Sequence, residues 1–430
     1  MSSSSQPSAP GKARINWSEL DAVLAEGQVR DASPTDAIDG ALPLKLIEPA
    51  DEQGLAKAVA WANENGITLA ARGGGTKLSW GTPPRSVDAV ISTKRLGRVL
   101  EHAWADMTAT VEAGCTVSRL QEELVKRGQR LAIDPLFPER ATFGGLVATN
   151  DSGTLRIRYG SIRDLIIGIT VALPDGTLAR SGGKVVKNVA GYDLQKLMTG
   201  ALGTLGVITQ ATFRLHPLPR ESQTFSFGCT DSAAANRLIL AIMDSMLVPT
   251  GLQMRVRAGS GPAVDIRIDG IHAGIEAQSE QLQKLTTDTR RIEEEGDVWS
   301  ERQQLWQGTD PSLIGKISVL PSQLASATAA VERLCSSPQL KWSVVAQSTG
   351  LATVRIEASE HGQLHFALNG IRAAIHALGG TVVVLTCPAE MKKQIDVWGP
   401  TGDAQQLMVR VKQQFDPRGI LNRGRFVGGI

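Results

Sequence analysis

The stretch PERATFGGLVATNDSGTLRIRYGSIRDLIIGITVALPDGTLARSGGKVVKNVAGYDLQKLMTGALGTLGVI, Pro138 to Ile208, decides the fold. Glycines stand at 144, 145, 153, 160, 168, 176, 182, 183, 191, 200, 203 and 206. Small or hydroxylated residues lie between them: Ala141, Thr142, Ala148, Thr149, Ser152, Ser161 and Thr204. Each glycine inside a regular element weakens it by roughly 0.5–1 kcal/mol, so one helix or strand would not carry this many. Two readings follow. The plain one is a loop-rich region of tight turns. The sharper one is a wall of backbone whose amides approach a long nucleotide-type cofactor, since nests of N–H groups suit a phosphate anion.

Outward from this block, the N-terminal side reads as alternating strands and helices. Leu44 to Ile47 is a short strand candidate, and Glu52 to Asn65 an amphipathic helix closed by Gly66. Ile67 to Ala71 is a short apolar strand that runs into Arg72-Gly73-Gly74-Gly75-Thr76-Lys77. Three successive glycines after a strand offer unobstructed amides to a pyrophosphate. A dinucleotide fingerprint would need glycine where Leu78 stands, and a P-loop needs Gly-Lys-Ser/Thr, whereas Gly183-Lys184 is followed by Val185. Both of those motifs fail. Val87 to Thr93 and Met107 to Ala113 read as strands, and Val117 to Arg127 as a helix. Pro174-Asp175-Gly176 turns a hairpin between Ile166–Ala172 and Thr177–Ala179, and Leu202 to Leu215 closes the sheet. Arg140, Arg156, Arg158 and Arg163 crowd one region, either as a solvated basic face or as contacts to cofactor phosphates or an acidic partner subunit.

Several of these motifs, in this order, resemble the FAD-binding domain of the vanillyl-alcohol oxidase/p-cresol methylhydroxylase (VAO/PCMH) family. The matching pieces are A-T-x-G-G-x-x-A-T-N-x-x-G at Ala141 to Gly153, Y-G-x-x-x-D at Tyr159 to Asp164, P-D-G at Pro174 to Gly176, and G-T-L-G-V-I at Gly203 to Ile208. Val185 to Thr209 is similar, more specifically, to the smaller FAD-binding subunit of bacterial glycolate oxidases. The resemblance implies an α+β chain: a two-lobed FAD-binding domain of the PCMH/VAO type, then an α+β cap domain with an antiparallel sheet. It implies FAD as cofactor. The cofactor would be held by Ala71, Arg72, Gly73, Gly74, Gly75, Thr76 and Lys77, and by Asp134 and Pro135. The central block would add Ala141, Thr142, Gly144, Gly145, Ala148, Asn150, Ser152, Gly153, Tyr159 and Gly160, and the closing strand Gly203, Thr204, Gly206, Val207 and Ile208. Relatives that attach FAD covalently use a histidine just after the glycines. Gly75 and Thr76 stand there in this chain, so the FAD is expected to be non-covalent.

The same resemblance divides the chain into a disordered lead (1–16), an FAD-binding domain (17–220), a cap (221–397) and a C-terminal element returning to the FAD domain (398–430). Beyond residue 220 the glycine loops thin out. Strands are expected at Thr224–Cys229, Met254–Ile268, Leu351–Glu357 and Gly380–Thr386. Helices are expected at Ser232–Ser245, Glu276–Glu293, Pro321–Ser337 and His361–Leu378. In the tail, Arg423 stands where proline is usual in related flavoproteins.

Bulk properties agree with a soluble globular chain. It has 430 residues, 42% hydrophobic and 20% charged, with a formal net charge of +2, so nothing in its charge calls for nucleic acid or a membrane surface. Cys115, Cys229, Cys335 and Cys387 lie far apart with no C-x-x-C, and no metal site is expected. The N-terminus has no apolar core of a signal peptide, and no run of about 18 apolar residues occurs.

Oxidising a 2-hydroxy acid requires a cation for the carboxylate, a base for the hydroxyl proton and correct placement against the flavin. Arg255, Arg257, Arg267 and Arg355 are candidate carboxylate clamps on alternating strands, with solvated strand faces as the default. Glu360-His361-Gly362 faintly echoes a histidine motif of the larger glycolate oxidase subunit but opens a helix pattern. No catalytic residue is assigned. The functional expectation is an FAD-binding subunit of a glycolate (2-hydroxy acid) oxidase or dehydrogenase. Its partners would be a larger FAD-binding subunit and an iron–sulfur subunit that receives the electrons. It would be cytoplasmic and meet the inner face of a membrane only through a partner. The alternatives are a stand-alone FAD-dependent dehydrogenase and a non-catalytic scaffold subunit of the same complex.

Overall fold

The structure is a computed structural model that describes residues 15–183, 192–286, 289–292, 297–308 and 311–430. Most of the expected lead, and residues 185–191 of the Val185–Thr209 segment, lie outside the described residues.

Two sheets build the N-terminal half. A four-stranded sheet runs in the order Val29–Asp31, Lys45–Ile47, Ala89–Ser92, Leu69–Arg72, its last three strands parallel. Glu52–Glu64 covers it because Leu55, Ala58, Val59 and Ala62 form a buried stripe. Asp51 caps the start of this helix by accepting from the Gly54 amide at 2.7 Å, and Gly66 follows its end in the left-handed region. The second sheet is antiparallel, in the order Val99–Ala103, Thr108–Glu112, Val207–Arg214, Ile166–Ala172, Leu178–Gly182. Its hairpin turns at Pro174-Asp175-Gly176, where Gly176 has φ 83°.

The block between these strands is more regular than its glycine content suggests. Phe143–Thr149 is a helix that contains Gly144 and Gly145. A Cβ on Gly144 would lie 2.9 Å from that of Ala113, so glycine lets this helix sit directly on the end of Thr108–Glu112. Phe143 also packs on Phe213 of the neighbouring strand Val207–Arg214, their rings 5.1 Å apart. Close docking outweighs the weak helix propensity.

From Glu221 to Thr386 a single eight-stranded antiparallel sheet dominates. Ser232–Met243, Leu324–Leu334 and His361–Ala377 cover one face, with His272–Leu285 beside them. Alternation puts Leu252, Met254, Val264, Ile266, Val344, Val354 and Ile356 into the core beneath these helices. The helix expected over Glu276–Glu293 starts earlier and stops at Leu285, and Arg290–Ile292 is an edge strand paired with Glu221–Gly228. Two further strands of this sheet, Ser312–Ser318 and Leu340–Gln347, are not among the expected elements.

The other face of this sheet turns towards the N-terminal half. Ile314, Val383 and Leu385 meet Trp80, Leu136 and Phe137 across the boundary. Arg130–Asp269 at 2.9 Å, Arg302–Asp151, and Lys392 to both Asp39 and the Ser79 carbonyl tie the halves together. The tail returns to the first sheet. Leu69 N–H donates to the Ile420 carbonyl and Asn422 N–H to the Leu69 carbonyl, both at 2.8 Å. Buried Lys412 fixes that return by donating to Asp416, Thr204 O and Leu421 O. The mixed α+β architecture with a large antiparallel sheet is the expected fold class.

Candidate functional site

Strand Leu69–Arg72 ends where the Gly73-Gly74-Gly75 loop crosses helix Phe143–Thr149. The approach is close enough to exclude side chains. A Cβ on Gly73 would meet Thr142 Oγ1 at 2.0 Å, and one on Gly74 would meet the Arg140 carbonyl at 1.6 Å. Between the loop, the helix and the start of Val207–Arg214 lies an open trench of two adjoining hollows. Ala71, Gly73, Gly145, Ala148, Leu202 and Asn422 line both. Gly74, Gly75, Thr76, Lys77 and Thr142 line one hollow. Arg72, Gly144, Gly203, Gly206, Val207 and Ile208 line the other. Three glycine motifs far apart in the chain therefore open on one space.

The remaining expected residues do not line the trench, and each has another role in the structure. The Asp134 carboxylate accepts from Thr154 N–H (2.6 Å), Thr154 Oγ1 (2.9 Å) and Leu155 N–H, which pins the following turn. Burial raises its pKa. Gly153 sits against that carboxylate, where a Cβ would come within 2.4 Å. Pro135 and Ala141 are buried in the same wall. Asn150 ends the helix in the left-handed region, at φ 49°. Ser152 offers its carbonyl to Gln347 of the large sheet. Tyr159 accepts from Arg130 at 2.9 Å and packs 4.6 Å from His216. Gly160 is left-handed beside Asp164, and Thr204 is buried with its hydroxyl donating to Ala201 O.

The trench also has walls that motif reading missed: Trp80, Thr93, Leu202, Asn422 and Arg425. Leu202 is itself left-handed, at φ 50°, a conformation no sequence pattern signals for leucine. Asn422 and Arg425 come from the tail. Arg423, the residue that departs from the related pattern, is exposed, while Arg425 two positions on is buried. Arg425 donates to the Leu78 and Trp80 carbonyls, and burial pushes its pKa down to about 10.

The trench suits FAD on three observations. The amides of Gly75 and Gly145 donate to no group among the described residues. The buried Asn422 Oδ1 has no hydrogen-bond partner among the described residues. The Arg425 guanidinium gives one wall a positive charge. Free amides beside a cation are what a phosphate-bearing cofactor requires.

The candidate clamps are placed differently from the solvated default. Arg255 and Arg355 lie on the sheet face turned to the N-terminal half and are buried. Both are engaged: Arg255 forks onto Asp265 at 2.6 and 2.9 Å, and Arg355 holds Glu357 at 2.5 Å and Leu305 O at 2.7 Å. Arg267 stacks on Trp299, and Arg257 is exposed beside Glu301. His361 is the exposed first residue of its helix.

Residues 43–182 match the FAD binding domain family, a stretch that spans the glycine loop and most of the central block. Chain and trench together define a flavoprotein of the oxidoreductase class that uses FAD. The fold is that of p-cresol methylhydroxylase, whose substrate-bound crystal structure superposes with a TM-score of 0.75 at 14% identity, covering 95% of both chains. Glycolate oxidase subunit GlcD of Bacillus subtilis (strain 168) is 26% identical over 418 residues, 89% of each chain. A D-lactate dehydrogenase of Archaeoglobus fulgidus is 33% identical over 202 residues, 47% of this chain and 45% of that one.

Proposed function

We propose that this chain is the FAD-bearing subunit of a complex that oxidises a 2-hydroxy acid such as glycolate, of the smaller-subunit type, with an iron–sulfur partner as electron acceptor. The observation that carries the reading is the shared trench, in a chain similar to a glycolate oxidase subunit over 89% of its length. The residues proposed to hold the cofactor are those lining the trench. Gly75 and Gly145 offer amides and Arg425 a positive charge, while Trp80 and Leu202 close the walls. Bound there, FAD would take up the hydride released from the hydroxyl-bearing carbon. The four cysteines are separate, and burial pushes the thiols of Cys115, Cys335 and Cys387 up to about 11. An acceptor on another chain is proposed because Cys115, Cys229, Cys335 and Cys387 lie far apart in the sequence with no C-x-x-C.

A second reading, a dehydrogenase that meets its own substrate without the complex, draws support from the D-lactate dehydrogenase relative and from the polar sheet face above the trench. Anaerobic titration of the purified, FAD-loaded chain separates them. Bleaching by glycolate or D-lactate indicates direct oxidation by this chain. Bleaching by dithionite alone, with co-purification of a larger flavoprotein and a cluster-bearing chain, indicates a relay subunit. A chain that takes up no flavin defeats both readings.

A further inference from the structure

The arginines that crowd the central block, Arg140, Arg156, Arg158 and Arg163, line neither hollow of the trench. Three of them are engaged locally. Arg140 stands 5.4 Å over the Phe137 ring, Arg156 lies beside Asp164, and Arg163 donates to the Lys196 carbonyl. Arg158 is exposed, and its guanidinium makes no ion pair or hydrogen bond among the described residues. The fold brings other arginines to it. Strand pairing sets Arg130 opposite His216. His216 packs 4.6 Å from the Tyr159 ring, and the Arg130 guanidinium lies 5.2 Å from the same ring. Burial, then Arg214, Arg130 and Arg158, hold the His216 pKa below the ordinary histidine range, so the imidazole adds no charge at neutral pH. Its Nε2 is buried without a hydrogen-bond partner among the described residues.

Beside this group Gln129 donates to the Trp104 carbonyl at 2.7 Å, and Arg127 stacks 5.4 Å over the Trp104 ring. Trp104 is 53% exposed. Arg127 and Arg214 are exposed and, like Arg158, form no ion pair among the described residues. Most carboxylates nearby are already taken. Asp269 accepts from Arg130 and Ser222, Glu123 holds Lys126, and Asp164 accepts from Ser161. Asp106, exposed beside Trp104, stays open. Like charges gathered in this way repel one another, and salt screens exposed charges only beyond about 8 Å at 0.15 M. An anionic surface laid against them removes that cost and is drawn in faster. Tryptophan and arginine also dominate the binding energy of protein–protein contacts. These side chains stand exposed along strand ends and turns, which suits the broad surface of a protein better than a small ion.

We propose that Trp104, Arg127, Arg158 and Arg214 form the docking face for an acidic surface of a partner protein. In the relay reading above, on which this rests, that partner is the electron-accepting chain. Residues 150–155 alone join Thr149 of the trench wall to the helix Arg156–Tyr159. Docking face and cofactor space therefore share one continuous piece of chain.

The test uses the full, FAD-loaded chain, tagged and purified from its own host. Retention of a cluster-bearing chain, read as iron per flavin, is followed as sodium chloride is raised. The wild type is compared with Arg158→Glu/Arg214→Glu and with Arg333→Glu/Lys341→Glu, which makes the same charge change at exposed positions of the cap. Fluorescence anisotropy with labelled poly-L-glutamate gives a second readout, and flavin content checks the fold. Wild type and cap variant should hold iron at low salt and release it as salt rises, while Arg158→Glu/Arg214→Glu binds both iron-bearing chain and poly-L-glutamate at least about tenfold more weakly. If that variant does not fold, Arg158→Gln/Arg214→Gln takes its place. Iron held equally by all three chains, or equal poly-L-glutamate affinity in wild type and Arg158→Glu/Arg214→Glu, overturns the proposal. Tighter binding of these arginines to phosphatidylglycerol vesicles or duplex DNA than to poly-L-glutamate overturns it too. The two readings fail separately. Iron retention that survives Arg158→Glu/Arg214→Glu leaves the relay complex standing and removes this face. Poly-L-glutamate binding that depends on Arg158 and Arg214, in a chain that retains no iron, supports the face and removes the relay.

Discussion

Gly145 carries two opposing demands. It lies inside helix Phe143–Thr149, where alanine would be preferred by about 0.5–1 kcal/mol. Its Cβ position meets only Thr142 Oγ1, at 3.4 Å, and otherwise points into space shared by both hollows of the trench. Gly145→Ala should therefore stabilise the flavin-free chain slightly, or leave its denaturant midpoint unchanged, while lowering FAD affinity at least about tenfold. Unchanged FAD affinity would show that this glycine serves packing alone. At this scale the sequence was informative where backbone makes the site and silent where side chains do. Gly73, Gly74 and Gly145 are readable because a missing Cβ is a property of the residue type. Asn422 and Arg425 are not, because their roles depend on the tail contacts that carry them in.

Among the elements, the turn at Pro34–Asp36 links two strands of the first sheet, Val29–Asp31 and Leu69–Arg72. Asp36 is buried and accepts from Ser33, from Arg30 of the edge strand Val29–Asp31, and from Arg72 at the end of the glycine-loop strand. Burial alone would raise its pKa, but Arg30, Ser33 and Arg72 outweigh that and hold the carboxyl well below the usual range. A carboxyl depressed in the native state stabilises the fold above its unfolded pKa of about 3.9, and that contribution is lost as pH falls towards the native value. Urea melts should show the wild type losing stability steadily below about pH 4. Asp36→Asn should be less stable at neutral pH and show a flatter acid limb. Parallel acid limbs for the two proteins would contradict this role. Element boundaries followed the sequence where periodicity was strong, as in Glu52–Glu64 and His361–Ala377. The helix Phe143–Thr149 was hidden because its tolerance of glycine comes from contact with Ala113, a residue distant in sequence. Leu340–Gln347 carried a legible alternation of Leu340, Trp342, Val344 and Ala346, all inward, that was passed over.

Across the whole molecule, the large sheet is held over the trench by few polar links and one apolar cluster. Lys392 is the most enclosed of these links, with its ammonium between Asp39 and the Ser79 carbonyl. Removing one partner of a buried pair costs about 3–5 kcal/mol because the other charge is left without compensation. Lys392→Met should lower the denaturant midpoint accordingly and expose the boundary to limited proteolysis, while Lys393→Met, at an exposed pair, should change neither. Equal behaviour of the two variants would mean that the Lys392 link does not help to hold the halves together. The sequence changes character near residue 220, where glycine-rich loops give way to long alternating strands. It did not reveal that the polar sheet face turns inward. Alternation separates two faces without saying which of them meets water.

The central claim is that three separated glycine motifs and the returning tail enclose one FAD. Fluorescence titration of the flavin-free chain with FAD tests it directly. One FAD per chain should bind, with affinity falling in both Gly145→Ala and Asn422→Ala, which alter opposite walls of the trench. A folded chain that leaves FAD free in solution, or binds it equally well in both variants, would contradict the claim.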